Sequence, residues 1–211
     1  VLAGLINSLK IIGKKKEDVR IVISGAGAAG IAISKLLYQW GARTMVMLDS
    51  KGIISKARED LPPYKKELLG YTNLENIQGI LKDALVHADV FIGVSKGGIM
   101  YEDDVRRMNI DAIVFALANP NPEIMPDEAR KAGARIIATG RSDFPNQINN
   151  ALVFPGVFKG LLEADIIHIT DDMKINAAEA LAGVLTDISE DRIMPDIFDE
   201  HVVDAVAGVF R

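Results

Sequence analysis

Apolar residues in this chain occur with two different spacings. Five short apolar runs predict buried strands, at residues 20–24, 44–48, 89–94, 112–117 and 135–139. Elsewhere apolar residues recur every three or four positions, and glycine or proline residues mark where several of these segments end. These features predict helices at residues 1–12, 31–40, 65–70, 74–88, 101–108, 126–132, 149–164, 171–185 and 199–211.

Because strands alternate with helices, we predict an α/β fold. It is a doubly wound, mostly parallel sheet with helices on both faces and right-handed crossovers. No internal repeat or low-complexity linker divides the chain, so residues 1–211 are expected to form one domain. The first predicted helix starts at Val1 without a capping residue, and the chain is therefore expected to be a fragment of a longer protein.

The first strand runs into a G-x-G-x-x-G motif formed by Gly25, Gly27 and Gly30, and a helix follows. In such a motif the first glycine allows a tight turn, the second lets a pyrophosphate approach, and the third lets helix and strand pack closely. The helix N-terminus then favours an anion. Asp49 ends the next strand, where an acid can accept hydrogen bonds from an adenosine ribose. We predict a Rossmann-like NAD(P)-binding domain; the alternative is a tight turn and an exposed acid.

Composition argues against several other classes of function. The net charge is −5, and the basic run at residues 14–16 is followed directly by acids, so no nucleic-acid partner is expected. No apolar run reaches 18 residues and no signal peptide is recognisable, so no membrane association is expected. Cysteine is absent, which excludes disulfides and thiolate chemistry and fits the predicted cytoplasmic location.

Asparagines mark two of the loops that follow strands. Asn119 lies just after an apolar strand and before a proline, where its amide suits a nicotinamide ribose or a substrate carboxylate, or simply starts a turn. Asn146, Asn149 and Asn150 lie close together before a predicted helix. Asn149 or Asn150 is expected to cap that helix, and three asparagines in five residues also favour a ligand contact.

The other polar residues form no recognisable catalytic set. His87 is expected to end a helix, His168 to lie in the core, and His201 to lie on an amphipathic helix. No histidine pair has metal-ligand spacing. The adjacent acids at residues 103–104 and 171–172 are expected to serve at helix starts.

Four blocks of sequence resemble the carboxyl-terminal domain of bacterial-type malic enzymes. They are residues 23–30 (ISGAGAAG), 48–52 (LDSKG), 115–123 (FALANPNPE) and 138–150 (ATGRSDFPNQINN), the last followed by FPG. The resemblance covers nearly the whole chain. It implies an enzyme that oxidatively decarboxylates malate to pyruvate and CO₂ with NAD or NADP. It also implies that an amino-terminal domain holds the tyrosine acid, the lysine base and the Mg²⁺ or Mn²⁺ ligands, so no catalytic or metal-binding residue is assigned here.

The resemblance and the motif together give the predicted binding residues. Those expected at the cofactor are Gly25, Ala26, Gly27, Ala28, Ala29, Gly30, Asp49, Ser50, Lys51, Val94, Ser95 and Asn119. Those expected at the substrate are Asn119, Asn149 and Asn150, with Asn150 favoured over Asn149.

Cofactor preference and partners are further expectations. Asp49 would repel the 2′-phosphate of NADP, which favours NAD, although Ser50, Lys51 and Arg58 are near enough in sequence to receive that phosphate. The expected partners are malate or pyruvate, the chain's own amino-terminal domain and a second subunit in a homodimer. Two alternatives stay open: another two-domain dehydrogenase, of amino-acid or shikimate type, and a non-catalytic dinucleotide-sensing domain.

Overall fold

A computed structural model describes residues 1–211 and shows a six-stranded sheet with helices on both faces. The strands are β1 (Arg20–Ser24), β2 (Thr44–Asp49), β3 (Gly52–Ile53), β4 (Val90–Gly93), β5 (Ile113–Ala116) and β6 (Ile136–Thr139). The helices are α1 (Leu2–Ile12), α2 (Ala28–Trp40), α3 (Pro63–Lys66), α4 (Leu81–Ala84), α5 (Glu102–Val105), α6 (Pro126–Lys131), α7 (Phe154–Glu163), α8 (Asp171–Gly183) and α9 (Glu200–Gly208). Short 3₁₀ helices occupy Glu67–Gly70 and Asn150–Leu152.

The strand order is β3-β2-β1-β4-β5-β6, and all neighbours are parallel except β2 and β3. The predicted doubly wound, mostly parallel fold is therefore confirmed. The chain leaves β1 towards β2 on one side and later returns to β4 on the other, so the strand order reverses between β1 and β4. Ligands of such sheets bind at the carboxyl ends of the strands beside this reversal.

Two apolar cores cover the two faces of the sheet. On β1, Ile21 and Ile23 belong to the larger core, which includes residues of α1, α2, α8 and α9. Val22, between them, belongs to the smaller core with residues of α4, α5 and α6. The inner strands β4 and β5 are buried on both faces, as expected for a parallel sheet between helical layers.

The helix predicted for residues 74–88 is mostly wrong, because only Leu81–Ala84 is helical. Asn73, Asn76 and Gly79 have positive φ, which interrupts a right-handed helix. The Asn73 side chain accepts from Ile77 N–H and donates to the Ile54 and Ile77 carbonyl oxygens, so its own hydrogen bonds stabilise a turn instead.

Several other boundaries differ from prediction. The hairpin of β2 and β3 was not predicted; Gly52 within it has φ +116°, which glycine adopts readily. The single helix predicted for residues 149–164 is divided into the 3₁₀ helix Asn150–Leu152 and α7, and Pro155 lies in the first turn of α7, where no N–H is needed from it.

The histidine predictions also met mixed outcomes. His168 is exposed and not in the core, and His87 lies beyond the end of α4 with positive φ. His201 lies on α9 as predicted. None of the helices combines the length and apolarity needed to cross a lipid bilayer.

Candidate cofactor site

The glycine loop joins β1 to α2 at the carboxyl edge of the sheet. Gly25 has φ +118°, and a Cβ there would lie 2.7 Å from the Val94 carbonyl oxygen. A Cβ on Gly30 would overlap the carbonyl oxygen of Gly25. Both positions therefore require glycine for the turn and for close packing of α2 against β1.

Gly27 differs from the other two glycines, because a Cβ there would meet no atom within 4 Å. It is the N-cap of α2, has extended backbone geometry, and no side chain caps the helix. Gly27, Ala28 and Ala29 are exposed, and the first turn carries no acidic residue. The open side of this loop thus presents unpartnered helix N–H groups, the arrangement that a diphosphate requires.

Asp49 ends β2 inside a cluster of charged side chains. Arg58 donates to both of its carboxylate oxygens, at 2.7 and 3.3 Å, and Lys65 Nζ donates to Oδ2 at 2.6 Å. The backbone N–H of Lys51 donates to Oδ1 at 2.9 Å. Asp60 pairs with Arg58 and Lys51 at the outer side of the cluster. Three cations and two carboxylates are therefore gathered at the position predicted for the adenosine ribose.

The surroundings of Asp49 change its acidity. Burial raises its pKa, but the hydrogen bonds from Arg58, Lys65 and the Lys51 N–H outweigh this effect, and the pKa is lowered from 3.8 to about 2. Asp49 is therefore ionised at neutral pH, and both cations are already bound to it. Sequence reasoning missed Lys65, which reaches Asp49 only because α3 folds back over the end of β2.

The loops after β4 and β5 lie on the other side of the glycine loop. Val94 follows β4, and the Ser95 hydroxyl lies 3.2 Å from that of Ser24, at the end of β1. Asn119, after β5, is exposed, and a Cβ on Gly140 would lie 3.3 Å from its Nδ2. The strand ends thus bring these predicted contacts to one edge, while Ser50 and Lys51 lie beyond β2.

The three asparagines after β6 have different roles. Asn149 caps the 3₁₀ helix by accepting from Ala151 N–H, as predicted. Asn150 is exposed and lines an open cavity of about 480 Å³ with Ala29 of α2. Asn146, by contrast, is buried and makes three hydrogen bonds within the protein, so its predicted ligand contact is not supported. Those partners are the Ile137 and Glu190 carbonyl oxygens and the Ile193 N–H.

No group of three Asp, Glu or His side chains that could hold a metal ion is present among residues 1–211. One acidic residue near the site was also not singled out from the sequence. Glu123 is completely buried, and its carboxylate accepts backbone N–H bonds from the loops after β4 and β5. Glu123 comes directly after a turn-forming Asn-Pro pair, and nothing in this local sequence indicates that its side chain is buried.

The sheet order, its reversal beside β1 and the glycine loop define a Rossmann-like dinucleotide-binding domain. Residues 1–208 match the family model described as malic enzyme, NAD binding domain. The chain belongs to this family, and the resemblance noted from its sequence is confirmed. The family match also argues against a domain of an amino-acid or shikimate dehydrogenase.

Similar proteins agree with this assignment. The chain is 50% identical to the bifunctional malic/malolactic enzyme of Bacillus subtilis, over 98% of this chain and 51% of that protein. It is 47% identical to the NAD-dependent malic enzyme of Geobacillus stearothermophilus, over 98% of this chain and 43% of the relative. The crystal structure of the Thermotoga maritima NAD-dependent malic enzyme superposes with a TM-score of 0.95 at 43% identity, covering 99% of this chain and 55% of that one.

The chain therefore spans about half the length of the two relatives named above and about a quarter of the length of some other malic enzymes that it matches. These relatives include NADP-dependent as well as NAD-dependent malic enzymes. The family assignment consequently shows an NAD(P)-binding domain, without selecting between the two nucleotides.

Proposed function

We propose that this chain is the cofactor-binding part of an enzyme that oxidatively decarboxylates malate to pyruvate and CO₂, with NAD as the preferred acceptor. The observation that supports this most is the uncapped, exposed start of α2 beside Gly27, at the point where the strand order reverses. Free N–H groups and the helix dipole there would neutralise a diphosphate.

The cofactor is proposed to lie across the carboxyl edge of the sheet. The backbone from Gly25 to Gly30, including Ala26, Ala28 and Ala29, would bind the diphosphate. Asp49, with Ser50 and Lys51 beside it, would face the adenosine ribose. Val94, Ser95 and Asn119 would face the nicotinamide ribose, since they lie on the opposite side of β1 from Asp49. When bound, NAD would supply the hydride acceptor.

Malate is proposed to bind beside Asn119, Asn149 and Asn150. The exposed amides of Asn119 and Asn150 can donate to a carboxylate. Asn150 is the stronger candidate, because Asn149 already uses its side-chain oxygen as a cap and Asn150 shares a cavity with the first turn of α2. These side chains would orient the malate C2 towards the nicotinamide, and holding the reactants in this geometry would lower the barrier to hydride transfer.

The remaining parts of the proposal concern groups outside these residues. Mg²⁺ or Mn²⁺ and the proton-transferring side chains are proposed to come from the chain's own amino-terminal domain, as the resemblance implies. Such a cation polarises the carbonyl formed by hydride loss and stabilises the enolate left by CO₂. A homodimer and a cytoplasmic location complete the proposal.

Calorimetric titration with NAD tests the cofactor role directly. We expect the wild-type protein to bind NAD, and Gly27→Asp to weaken binding by about a hundredfold or more, because a carboxylate would then meet the diphosphate. The new side chain has open space and an N-cap position that favours Asp, so thermal stability should not fall.

Gly208→Asp is the matched control, since it adds the same charge at an open position at the end of α9. Its NAD affinity should equal that of the wild type. Failure of the wild-type protein to bind either nucleotide, or unchanged binding by Gly27→Asp, would contradict the proposed site.

A further inference from the structure

Glu123 is an acidic residue buried without exposure to solvent, between the loops that follow β4 and β5. Its Oε1 accepts from the Ser95 N–H at 3.1 Å, and its Oε2 accepts from the Ala118 N–H at 3.0 Å. The Glu123 side chain therefore connects both loops. Its partners are backbone N–H groups, which remain when the side chain of Ser95 or Ala118 is changed.

The hydrogen bonds continue to a third strand. The Ser95 hydroxyl lies 3.2 Å from the hydroxyl of Ser24, the buried last residue of β1. Glu123 is thus connected to the ends of β1, β4 and β5 together. These are the strands that carry the glycine loop, Ser95 and Asn119.

The surrounding backbone is shaped to admit this carboxyl group. A Cβ on Gly93, the last residue of β4, would overlap the Glu123 carboxyl. The loops also pair directly, since Gly98 N–H donates to the Pro122 carbonyl oxygen and Met100 N–H donates to that of Glu123, both at 3.0 Å. The two loops consequently form one unit, with the carboxylate at its centre.

Burying a carboxylate costs free energy, because the charged group loses its contact with water. The hydrogen bonds to both loops must offset that cost. Burial raises the pKa of the Glu123 carboxyl, and the hydrogen bonds from the Ala118 and Ser95 N–H groups offset this only in part, so the pKa stays above its ordinary value. A carboxylate offers acceptors on both oxygens, as needed by donors that converge from two loops. A glutamine has one acceptor and one donor group, so its NH₂ would face an N–H at one of the loops.

We propose that Glu123 is a positioning residue for the nicotinamide half of the bound dinucleotide, acting through Ser95 and Asn119. This inference rests on the proposed function, in which the diphosphate lies at Gly27 and the adenosine ribose at Asp49. The remaining half must then extend over β4 and β5. Glu123 fixes Ser95 through its N–H and fixes Asn119 through the N–H of the preceding residue.

The test compares NADH with ADP, which has the adenosine and the diphosphate of NADH but lacks the nicotinamide and its ribose. Each is titrated into the wild-type protein and into Glu123→Gln. We expect the variant to bind NADH about tenfold more weakly or worse, since an amide N–H opposes a loop N–H, while its ADP affinity stays within about twofold of wild type. A general loosening of the fold would weaken both ligands alike.

Two further variants keep the experiment decisive. Glu128→Gln makes the same chemical change on the exposed side of α6 and should leave both affinities unchanged. Glu123→Asp keeps the charge but is one methylene too short to reach both loops, so it should show the same selective loss. If thermal melting shows that Glu123→Gln does not fold, the two ligand affinities are compared between wild type and Glu123→Asp instead.

Equal affinities for NADH in wild type and the Glu123 variants, or equal losses for NADH and ADP, would overturn the role of Glu123. In those cases the wild-type protein still binds both ligands and the proposed function stands. If wild type binds neither ligand, the proposed function fails and this inference fails with it.

Discussion

Asp49 shows how far neighbours change what a single residue can do. A strand-end acid predicts a ribose contact and repulsion of a 2′-phosphate. In the structure its charge is opposed by Arg58 and Lys65, and Lys51 lies at the edge of the same cluster. The proposed preference for NAD therefore depends on a balance of nearby charges, and one neutralised carboxylate should shift it.

Substituting Asp49→Asn should raise the affinity for NADP relative to NAD by about tenfold. The change removes one negative charge and releases Lys65 from its ion pair, while Arg58 keeps only its pair with Asp60. A phosphate that meets these cations would gain about 1 kcal/mol or more at contact distance. Calorimetry with both nucleotides measures the ratio. Asp18→Asn, at an exposed loop position, is the control. An unchanged ratio for Asp49→Asn would place Asp49 outside the nucleotide site.

The same carboxylate should make the stability of the folded protein depend on pH. Its folded-state pKa of about 2 lies below the ordinary 3.8, so its contribution is present above pH 4 and is lost as pH falls towards 2. The difference in melting temperature between wild type and Asp49→Asn should therefore shrink over that window. Thermal melts at several pH values test this; a difference independent of pH would show that the ion pairs do not stabilise the fold.

At the scale of elements, the contact between β1 and α2 depends on the absence of one side chain. Gly30 lies in the first turn of α2, directly against the Gly25 carbonyl. The helix start can approach the strand only because no Cβ separates them. The same approach aims the free N–H groups of α2 at the edge of the sheet where the diphosphate is proposed to lie.

Gly30→Ala should destabilise the protein by about 3 kcal/mol or more, because the added methyl overlaps a backbone atom that has no rotamer to change. Gly183→Ala, in α8 with open space around it, should instead stabilise by about 0.5 kcal/mol through helix propensity. Urea unfolding compares the two. A Gly30→Ala protein as stable as wild type would mean that α2 can move away from β1 without cost.

At the scale of the whole molecule, the proposed site is one edge of one sheet. The net charge is −5, so the overall field does not attract an anionic nucleotide, and local helix N–H groups and cations must do so. The relatives are about two to four times as long as this chain. Chemistry that needs a metal and a proton donor is accordingly proposed for an assembly larger than these residues.

These 211 residues should bind NAD(H) but not convert malate. The proposed roles of their side chains are to hold and orient, and none is assigned to proton transfer. Incubation with malate, NAD and Mg²⁺, followed by assay for NADH and pyruvate, tests this expectation. Binding measured on the same preparation shows that it is folded, and pyruvate formation above a protein-free blank would contradict the division of roles.

The sequence by itself determined five of the six strands, the glycine loop and the family. Apolar runs of strand length and the spacing of Gly25, Gly27 and Gly30 are local properties, and they were confirmed in the positions predicted. Local spacing failed between residues 74 and 88, since side-chain hydrogen bonds of Asn73 stabilise a turn more than apolar periodicity favours a helix there.

Only the tertiary structure decided which polar residues share a site. Lys65 meets Asp49 across 16 positions, and Glu123 meets Ser95 across 28. Asn146 and Asn150 are similar in sequence context, yet the first is a buried structural residue and the second is exposed beside α2. The physical reason is that burial and partners depend on how distant segments pack, and the spacing of residues along one chain does not contain that information.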